Sequence, residues 1–338
     1  MRILLDAMGG DNAPQEIVKG AMEAADLLGV DITLIGRKEE IEDCLGERKA
    51  QFEIVDAREV ITMEDDPSTA TRRKKDASMT VALQLLKEGK GDAVVSAGST
   101  GALLTGATLI VKRIRGIRRA ALAPVLPMGE HGTVLIDCGA NAECTPEYLL
   151  QFAFLGSLYS KKILGAEQPR VGLLNVGTED TKGDELRHET FRLLKEASDA
   201  GRICFIGNVE ASGALTGAAD VLVADGFTGN VLLKSIEGTA KVIFKELKGV
   251  FYKNTKNKLA ALVIKNDLGG LKAKLDPNEV GGTAMLGISK PVIKAHGSSN
   301  AAAIVSAIRQ AKACAESGFT QVITENIDYM KVDSLGED

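Results

Sequence analysis

Short apolar runs recur from one end of the 338-residue chain to the other, and amphipathic stretches separate most of them. The runs carry almost no charge, as expected of strands that are covered on both faces. The intervening stretches place apolar residues at helical spacing, for example Ile17, Met22, Ala25 and Leu28. Strands that alternate with helices form a mainly parallel sheet between helical layers. The predicted strands are residues 3–8, 32–35, 52–55, 93–96, 133–137, 171–175, 203–206, 221–224 and 292–295.

This pattern predicts a three-layer α/β/α fold with a mainly parallel sheet. No low-complexity linker divides the chain, so residues 1–338 are predicted to form one unit, with room for two lobes around a cleft. Aromatic residues make up 4% of the chain and hydrophobic residues 45%, so the core must be largely aliphatic.

Composition also excludes several functions. No apolar run approaches the ~18 residues needed to span a bilayer. The net charge of −5 argues against nucleic-acid binding. The first eight residues are too short an apolar run for a signal peptide, and the five cysteines are odd in number without Cys-x-x-Cys spacing. We therefore expect a cytoplasmic protein with reduced thiols.

The 36 glycines exceed the roughly 24 expected from average usage, and they cluster where predicted strands end. In a parallel sheet these ends share one edge, where ligands bind. Glycine-rich turns that lead into helices favour a phosphate or similar anion site, although each could be only a tight strand-to-helix turn. The main clusters are Asp6-Ala-Met-Gly-Gly-Asp11, Ser96-Ala-Gly-Ser-Thr-Gly101, Asp137-Cys-Gly-Ala-Asn141, Asn175-Val-Gly-Thr-Glu-Asp-Thr-Lys-Gly183, Asp225-Gly-Phe-Thr-Gly-Asn230 and His296-Gly-Ser-Ser-Asn300.

Several catalytic motifs are missing. The chain has no Gly-x-x-x-x-Gly-Lys-Ser/Thr, no Gly-x-Gly-x-x-Gly and no Gly-x-Ser-x-Gly. Cys138 and Cys144 have no histidine nearby in sequence, so neither is favoured as a nucleophile. No spacing demands a metal or a cofactor, and we expect neither. Without these motifs, the mechanism that we expect is catalysis by positioning of the reactants and stabilisation of charge.

Four residues in or just after these clusters are candidates for that chemistry, and three of them have a simpler alternative. Lys182 lies in a glycine-bounded polar loop but could be merely solvated. His296 follows an apolar run and could be a buried structural histidine. Asn230 and Lys234 begin a predicted helix after Gly229, where Asn230 could serve as a cap.

Together these motifs resemble the phosphate acyltransferase (PlsX) family, over nearly the whole chain up to about Arg309. Two longer segments strengthen the resemblance, one running from Asp220 to Lys234 and the other Lys294-Ala-His-Gly-Ser-Ser299.

The resemblance implies that an acyl group moves from an acyl-carrier-protein thioester to inorganic phosphate, giving an acyl phosphate for phospholipid synthesis. It also implies a fold similar to isocitrate and isopropylmalate dehydrogenases and to phosphotransacetylase. A homodimer at the inner face of the membrane is expected. We do not expect nucleic acid as a partner.

Within that reaction we assign roles by motif position. Lys182, Asn230 and His296 are predicted to be catalytic. Phosphate is predicted to bind backbone N–H groups and cations at two helix starts, comprising Gly98, Ser99, Thr100, Gly101, Thr228, Gly229 and Lys234. Supporting polar roles are predicted for Asp6, Asp11, Asn141, Asp225 and Ser298.

Two basic segments suggest partners. One places five positive charges in eight residues and could dock the acidic carrier, or could be only a solvated face; its cations are Lys112, Arg113, Arg115, Arg118 and Arg119. The other, residues 241–275, has nine lysines against Glu246 and Asp267, a net charge of +7 in an otherwise acidic chain.

The second segment belongs to a predicted amphipathic helical hairpin over residues 229–275 that protrudes from the fold. We expect it to touch anionic lipid through Phe251, Tyr252, Leu259 and Leu262. Burial in a dimer interface is the alternative.

Three other functions compete with this interpretation. A phosphotransacetylase acting on a small acyl-coenzyme A would use the same anion cleft. A dehydrogenase of this fold would need a nicotinamide cofactor and a divalent metal. A non-catalytic membrane scaffold would not need polar glycine turns.

Overall fold

A computed structural model describes residues 1–264, 269–270 and 282–331 of the chain. Its strands are β1 Arg2–Asp6, β2 Asp31–Gly36, β3 Glu53–Asp56, β4 Ala93–Ser96, β5 Ala121–Ala123, β6 Val125–Leu126, β7 Thr133–Ile136, β8 Arg170–Leu174, β9 Cys204–Val209, β10 Val221–Val223, β11 Thr283–Leu286 and β12 Val292–Lys294.

The α-helices lie mostly between the strands. They are α1 Gln15–Leu28, α2 Lys38–Leu45, α3 Ala70–Arg73, α4 Ser78–Lys87, α5 Thr100–Gly106, α6 Pro146–Tyr159, α7 Glu185–Asp199, α8 Ala211–Leu215, α9 Gly226–Tyr252, α10 Thr255–Val263, α11 Ala301–Glu316 and α12 Phe319–Glu325. Helices α5 and α6 continue as π-helical turns, Ala107–Val111 and Ser160–Leu164. Short 3-10 helices cover Gly46–Gln51 and Ile327–Met330.

The strands form two sheets. The seven-stranded sheet has the order β3-β2-β1-β4-β12-β11-β5, and the five-stranded sheet has the order β6-β7-β10-β8-β9. Most neighbours are parallel, while β11 runs antiparallel to β12 and β5, and β6 runs antiparallel to β7. The prediction of a mainly parallel α/β/α fold is therefore confirmed.

Helices cover both faces of each sheet because the buried strands alternate their side chains between two cores. Along β1, Ile3 and Leu5 belong to the core that includes α1 and α11, whereas Leu4 belongs to the core that includes α4. Burying each such side chain contributes roughly 1.5–3 kcal/mol. On the five-stranded sheet, α6 and α7 contribute to the larger core, and α8 and α9 cover the other face.

All nine predicted strands are present, with ends shifted by up to three residues. Three strands were not predicted, namely β5, β6 and β11. Pro124 separates β5 from β6 and lacks a backbone N–H, and at this point the chain leaves one sheet for the other. Such two- and three-residue strands are too short to produce a periodic pattern.

The predicted helical hairpin begins as expected. Helix α9 ends at Tyr252 and α10 starts at Thr255, where the Asn254 side chain caps it by accepting from the Asn257 N–H at 2.9 Å. Of the predicted hairpin, residues 265–268 and 271–275 lie outside the described residues. Within the described ranges, no helix is long and apolar enough to cross a membrane.

Candidate functional site

A cavity of about 210 Å³ lies where the two sheets meet. One wall comes from the seven-stranded sheet, and the other comes from the first turns of α9. Its polar lining consists of Thr100, Asn230, Lys234, Glu237, Thr283, Lys294 and His296. Its apolar lining includes Leu122, Pro124, Val125, Leu126, Pro127, Met128, Cys138, Leu233 and Ile236. The cavity is therefore lined by both charged and apolar side chains.

The predicted residue Asp6 organises the loop that follows β4. Its buried carboxylate accepts a hydrogen bond from the Ser96 hydroxyl at 2.6 Å and one from the Met8 N–H at 3.2 Å. Ser96 Oγ in turn accepts from the N–H of Gly98 at 3.1 Å. Burial raises the pKa of Asp6, and these hydrogen bonds oppose the shift. The Gly98 N–H is thus used within the loop.

Helix α5 starts directly after this loop, and no side chain caps it. Ser99 is buried and accepts the first helical hydrogen bond, from Leu103 N–H at 2.9 Å. Gly101 packs against Pro67, while Thr100 lines the cavity. An uncapped helix start carries partial positive charge and free N–H groups. The structure thus leaves the predicted anion site at Ser99–Gly101 open.

The second predicted phosphate site, at the start of α9, has a different geometry. Asp225 is buried, and its carboxylate accepts from the Thr228 N–H at 2.9 Å and the Thr228 hydroxyl at 2.8 Å. The Gly229 N–H donates to the Asp225 carbonyl at 2.9 Å. These N–H groups already have partners within the protein, and phosphate binding by Thr228 and Gly229 stays a prediction.

Arg187 completes the cap of α9. Its guanidinium contacts the Asp225 carboxylate and donates to the Thr228 hydroxyl at 3.1 Å. Burial pushes the pKa of Asp225 upward, but the hydrogen bonds of Thr228 and the charge of Arg187 outweigh it and the net shift is downward. Nothing in the local sequence identified Arg187, which lies thirty-eight positions before its partner.

Asp137 stabilises the loop that follows β7 in the five-stranded sheet. This buried carboxylate accepts from the backbone N–H groups of Leu122 at 2.9 Å, Cys138 at 2.7 Å, Ala140 at 3.3 Å and Asn141 at 2.6 Å. The predicted residue Asn141 also donates its side-chain amide to Asp137 at 3.0 Å. Asp137 therefore ties β5 to the loop beneath α9. It was part of a quoted motif but was not a predicted site residue.

His296 stands on the exposed rim of the cavity with a defined orientation. Its Nδ1 accepts from the Ser298 N–H at 3.3 Å and lies 2.9 Å from the Ser298 hydroxyl. Burial lowers the pKa of His296, and the neighbouring cations Lys234 and Lys294 lower it further, although Glu237 opposes them. The neutral ring therefore carries its hydrogen on Nε2, which is a donor.

The loop of His296 is tied to the first glycine loop. The Asp11 N–H donates to the Gly297 carbonyl at 2.8 Å, and the Asn12 amide donates to the Ser298 carbonyl at 3.2 Å. Asp11 itself is exposed and does not line the cavity. The predicted supporting residues Asp11 and Ser298 thus hold a loop in place.

Lys234 and Glu237 face the cavity from one side of α9, one turn beyond Asn230. The Lys234 ammonium and the Glu237 carboxylate form an ion pair at 2.8 Å, with the Glu237 side chain only 9% exposed. Sequence reasoning missed Glu237 because an acidic residue in an amphipathic helix gives no distinctive signal.

Lys294 was also missed, although it belongs to the Lys294-Ala-His segment. It is the last residue of β12 and is 8% exposed, and it lines the cavity. Burial lowers the pKa of Lys294 to about 8, against the opposing charges of Asp6 and Asp11.

Lys182 lies outside this cavity. It is exposed in the loop after β8, where its carbonyl accepts from the Asn175 side-chain amide at 2.9 Å. The structure brings together Thr100, Asn230, Lys234 and His296, but not Lys182. Its catalytic role stays a prediction.

Comparison with known proteins identifies the family. The model of the family described as "Fatty acid synthesis protein" matches residues 1–322. A phosphate acyltransferase from Oceanobacillus iheyensis is 52% identical over 97% of this chain and 98% of its own length. Another, from Lysinibacillus sphaericus, is 49% identical over 98% of this chain and 100% of its own. The chain belongs to the phosphate acyltransferase family.

Solved structures agree with the fold of this phosphate acyltransferase family member. A phosphotransacetylase from Streptococcus pyogenes has a TM-score of 0.62 at 18% identity and covers 94% of both chains. A putative 4-hydroxythreonine-4-phosphate dehydrogenase from Salmonella typhimurium has a TM-score of 0.54 at 14% identity, covering 93% of this chain and 99% of its own. At such identities the likeness concerns the fold alone.

Cys138, which lines the cavity, and Cys144 are poor nucleophiles. Burial, together with the charge of Asp137, raises the pKa of each thiol to about 12. Thiols rather than thiolates are therefore present at neutral pH. Within the described ranges, no three His, Cys, Asp or Glu side chains cluster as metal ligands.

The basic segment after α5 forms an exposed ridge. Ile114, Ile117 and Ala120 are buried, and they anchor a stretch whose five cations all point to solvent. Some of these cations are partly engaged, since Arg118 pairs with Glu147 at 2.9 Å and Arg119 stacks 5.6 Å from the Tyr148 ring centre. We refer to residues 112–119 as the basic ridge.

The hairpin presents apolar side chains to solvent. Tyr252 is 65%, Leu259 59% and Leu262 67% exposed, while Phe251 is half-buried. The exposed residues Lys256 and Lys258 lie in the first turn of α10, just before Leu259. The surface is thus both apolar and cationic.

Proposed function

We propose that this protein transfers a fatty acyl group from an acyl-carrier-protein thioester to inorganic phosphate, giving an acyl phosphate for phospholipid synthesis. The observation that carries the proposal is the cavity itself, which is lined by two lysines and by many apolar side chains. The lysines suit phosphate, and the apolar side chains suit an alkyl chain. The names of the relatives support the same chemistry.

The reaction needs no covalent enzyme intermediate. An oxygen of HPO4²⁻ bonds to the thioester carbon, and the C–S bond breaks with both electrons leaving on sulfur. The proton of HPO4²⁻ is released as the departing sulfur gains one, so protons and charge balance. The enzyme must bring two partners together and stabilise the tetrahedral oxyanion.

Three groups are positioned for those tasks. The open start of α5 would receive phosphate, with Thr100 beside it. Nε2–H of His296 and the amide of Asn230 would donate to the oxyanion. Lys234 would offset charge, although Glu237 shares its ammonium.

The direct test measures thiol release from two donors in the presence and absence of phosphate. We expect phosphate-dependent release of free carrier protein from a long-chain acyl carrier thioester, with little release from acetyl-coenzyme A. Preference for acetyl-coenzyme A would instead establish the phosphotransacetylase alternative. Release that does not require phosphate would overturn both.

We also propose that the basic ridge docks the acidic carrier. Arg115 is exposed, so an Arg115→Glu substitution should raise the KM for the carrier thioester about tenfold at low salt while leaving kcat near its original value. Steady-state kinetics at two ionic strengths check this, because added salt should narrow the difference. The control is Lys195→Glu, the same charge change on the exposed side of α7. Equal KM values for both variants would contradict docking at the ridge.

We further propose that the hairpin rests on the anionic inner face of the membrane. Replacing Leu259 and Leu262 by Ser should reduce the vesicle-bound fraction by at least about tenfold, because each buried leucine contributes roughly 1.5–3 kcal/mol. Flotation with phosphatidylglycerol vesicles measures this, and neutral vesicles should bind weakly.

The matched control for the hairpin is Leu215→Ser, since Leu215 is 48% exposed on α8. That variant should float like the original protein. Unchanged flotation of the Leu259 and Leu262 double variant would exclude the hairpin from membrane contact. A homodimer is part of the same proposal, and sedimentation equilibrium tests it directly.

A further inference from the structure

The ammonium group of Lys294 is buried, and no described carboxylate contacts it. Its Nζ donates to the carbonyl of Ala97 at 3.3 Å and contacts the carbonyl of Ala295. An ammonium has three hydrogens to donate, and in the described part of the chain the third has no partner. Nor does any described carboxylate form an ion pair with it.

The acidic side chains near Lys294 make no direct contact with its ammonium group. Asp6 accepts from Ser96 and Met8, and Asp11 is exposed on its loop; both act on Lys294 only through longer-range charge. Across the cavity, Glu237 already pairs with Lys234. A buried and unpaired charge costs several kcal/mol, so such groups are retained where they bind a ligand.

The surroundings determine the sign of that ligand. Lys294, Lys234 and the uncapped start of α5 all bring positive charge to the same cavity. Glu237 offsets the charge of Lys234, so the Lys294 ammonium leaves the polar lining with a net positive charge, which would repel a cation and attract a small anion.

We propose that Lys294 binds the phosphate directly, donating its unused hydrogen to a phosphate oxygen beside the start of α5. The identity of the anion rests on the proposed function. The role makes Lys294 a catalytic residue because it touches the attacking group, and it keeps its own proton throughout the reaction.

The first test measures anion binding without any acyl donor. Isothermal titration with inorganic phosphate and with sulfate should give a Kd about 30- to 100-fold weaker for Lys294→Met, as expected when a charged hydrogen bond is lost. Lys290→Met is the matched control, because Lys290 also donates to a backbone carbonyl, that of Leu86 at 2.7 Å, but lies outside the cavity. Unchanged affinity in a folded Lys294→Met protein would overturn the proposal.

A second test needs no disruptive variant. Sulfate stays a dianion from pH 7 to 9.5, so its affinity reports only protein groups. Binding requires the Lys294 ammonium, which is present below a pKa of about 8 and lost above it, so affinity should fall as pH rises through that range. The other charged groups facing Lys294 are Asp6, Asp11, Lys234, Glu237 and His296.

Lys294→Arg isolates the contribution of the lysine, because a guanidinium stays charged throughout this range. Its sulfate affinity should lose the alkaline decline. Wild-type affinity that is constant over this range, or an identical decline in Lys294→Arg, would overturn the proposal. Anion binding that behaves as expected, in a protein that does not turn over carrier thioester, would contradict the proposed function alone.

Discussion

Replacing Gly229 by Ala is expected to lower turnover about a hundredfold and to destabilise the fold by roughly 1–3 kcal/mol. A Cβ at this position would overlap the backbone carbonyl oxygen of Asp137. Asp137 is fixed by its own hydrogen bonds to Leu122 and Asn141, so α9 would have to move instead. The shift would carry Asn230 away from the cavity.

The same helix provides a control for this prediction. Gly238 lies nine positions further along α9, and a Cβ there would meet nothing within 4 Å. Gly238→Ala should leave turnover unchanged and stabilise the helix by about 0.5–1 kcal/mol. Thermal melting and kcat measured on both variants test the comparison. Full activity in Gly229→Ala would show that the contact between α9 and the Asp137 loop does not position the site.

Much of the fold could be predicted because its buried parallel strands appear in the sequence as short apolar runs with almost no charged residues. The predicted runs 3–8 and 93–96 both correspond to central strands, β1 and β4. The division into two sheets could not be predicted, because it depends on which strands pair across the chain. Strand β5 pairs with β11, more than 160 positions away, and neither is long enough to stand out.

The residues of the candidate site could be predicted only where they lie in a recognisable local motif. Thr100 and His296 lie in glycine turns and do line the cavity. The two similar helix starts, at Thr100 and Thr228, could not be distinguished from sequence. The structure distinguishes them, because the Asp225 side chain caps one and contacts Arg187, whereas no side chain caps the other.

Lys294 could not be predicted as a site residue from the sequence for a related reason. A lysine at a strand end is usually exposed, and its burial depends on packing between β4 and β11. Lys182, by contrast, is exposed in a polar glycine-bounded loop outside the cavity, and its catalytic role stays a prediction. The two lysines differ in burial and in partners, which residue type alone does not show.

The second large effect is expected at His296. Its Nδ1 accepts from the Ser298 N–H, so Nε2 carries the hydrogen in the neutral ring and is available as a donor. Removing one oxyanion donor typically costs 10²- to 10³-fold in kcat, so we expect a loss of about that size for His296→Ala. The KM for phosphate should change little, because the oxyanion forms only in the transition state.

Ser298→Ala separates donation from mere packing. It removes the hydroxyl contact at 2.9 Å but keeps the backbone N–H that orients the ring, so kcat should fall only several-fold, the size of one neutral hydrogen bond. His131→Ala, an exposed histidine outside the cavity, should behave like the original protein. Steady-state kinetics with phosphate varied up to saturation give both kcat and the KM for phosphate. A His296→Ala variant that raises the KM for phosphate at constant kcat would instead make His296 a binding group for the ground state. In that case the donor to the oxyanion would have to be Asn230, the remaining uncharged amide in the polar lining of the cavity.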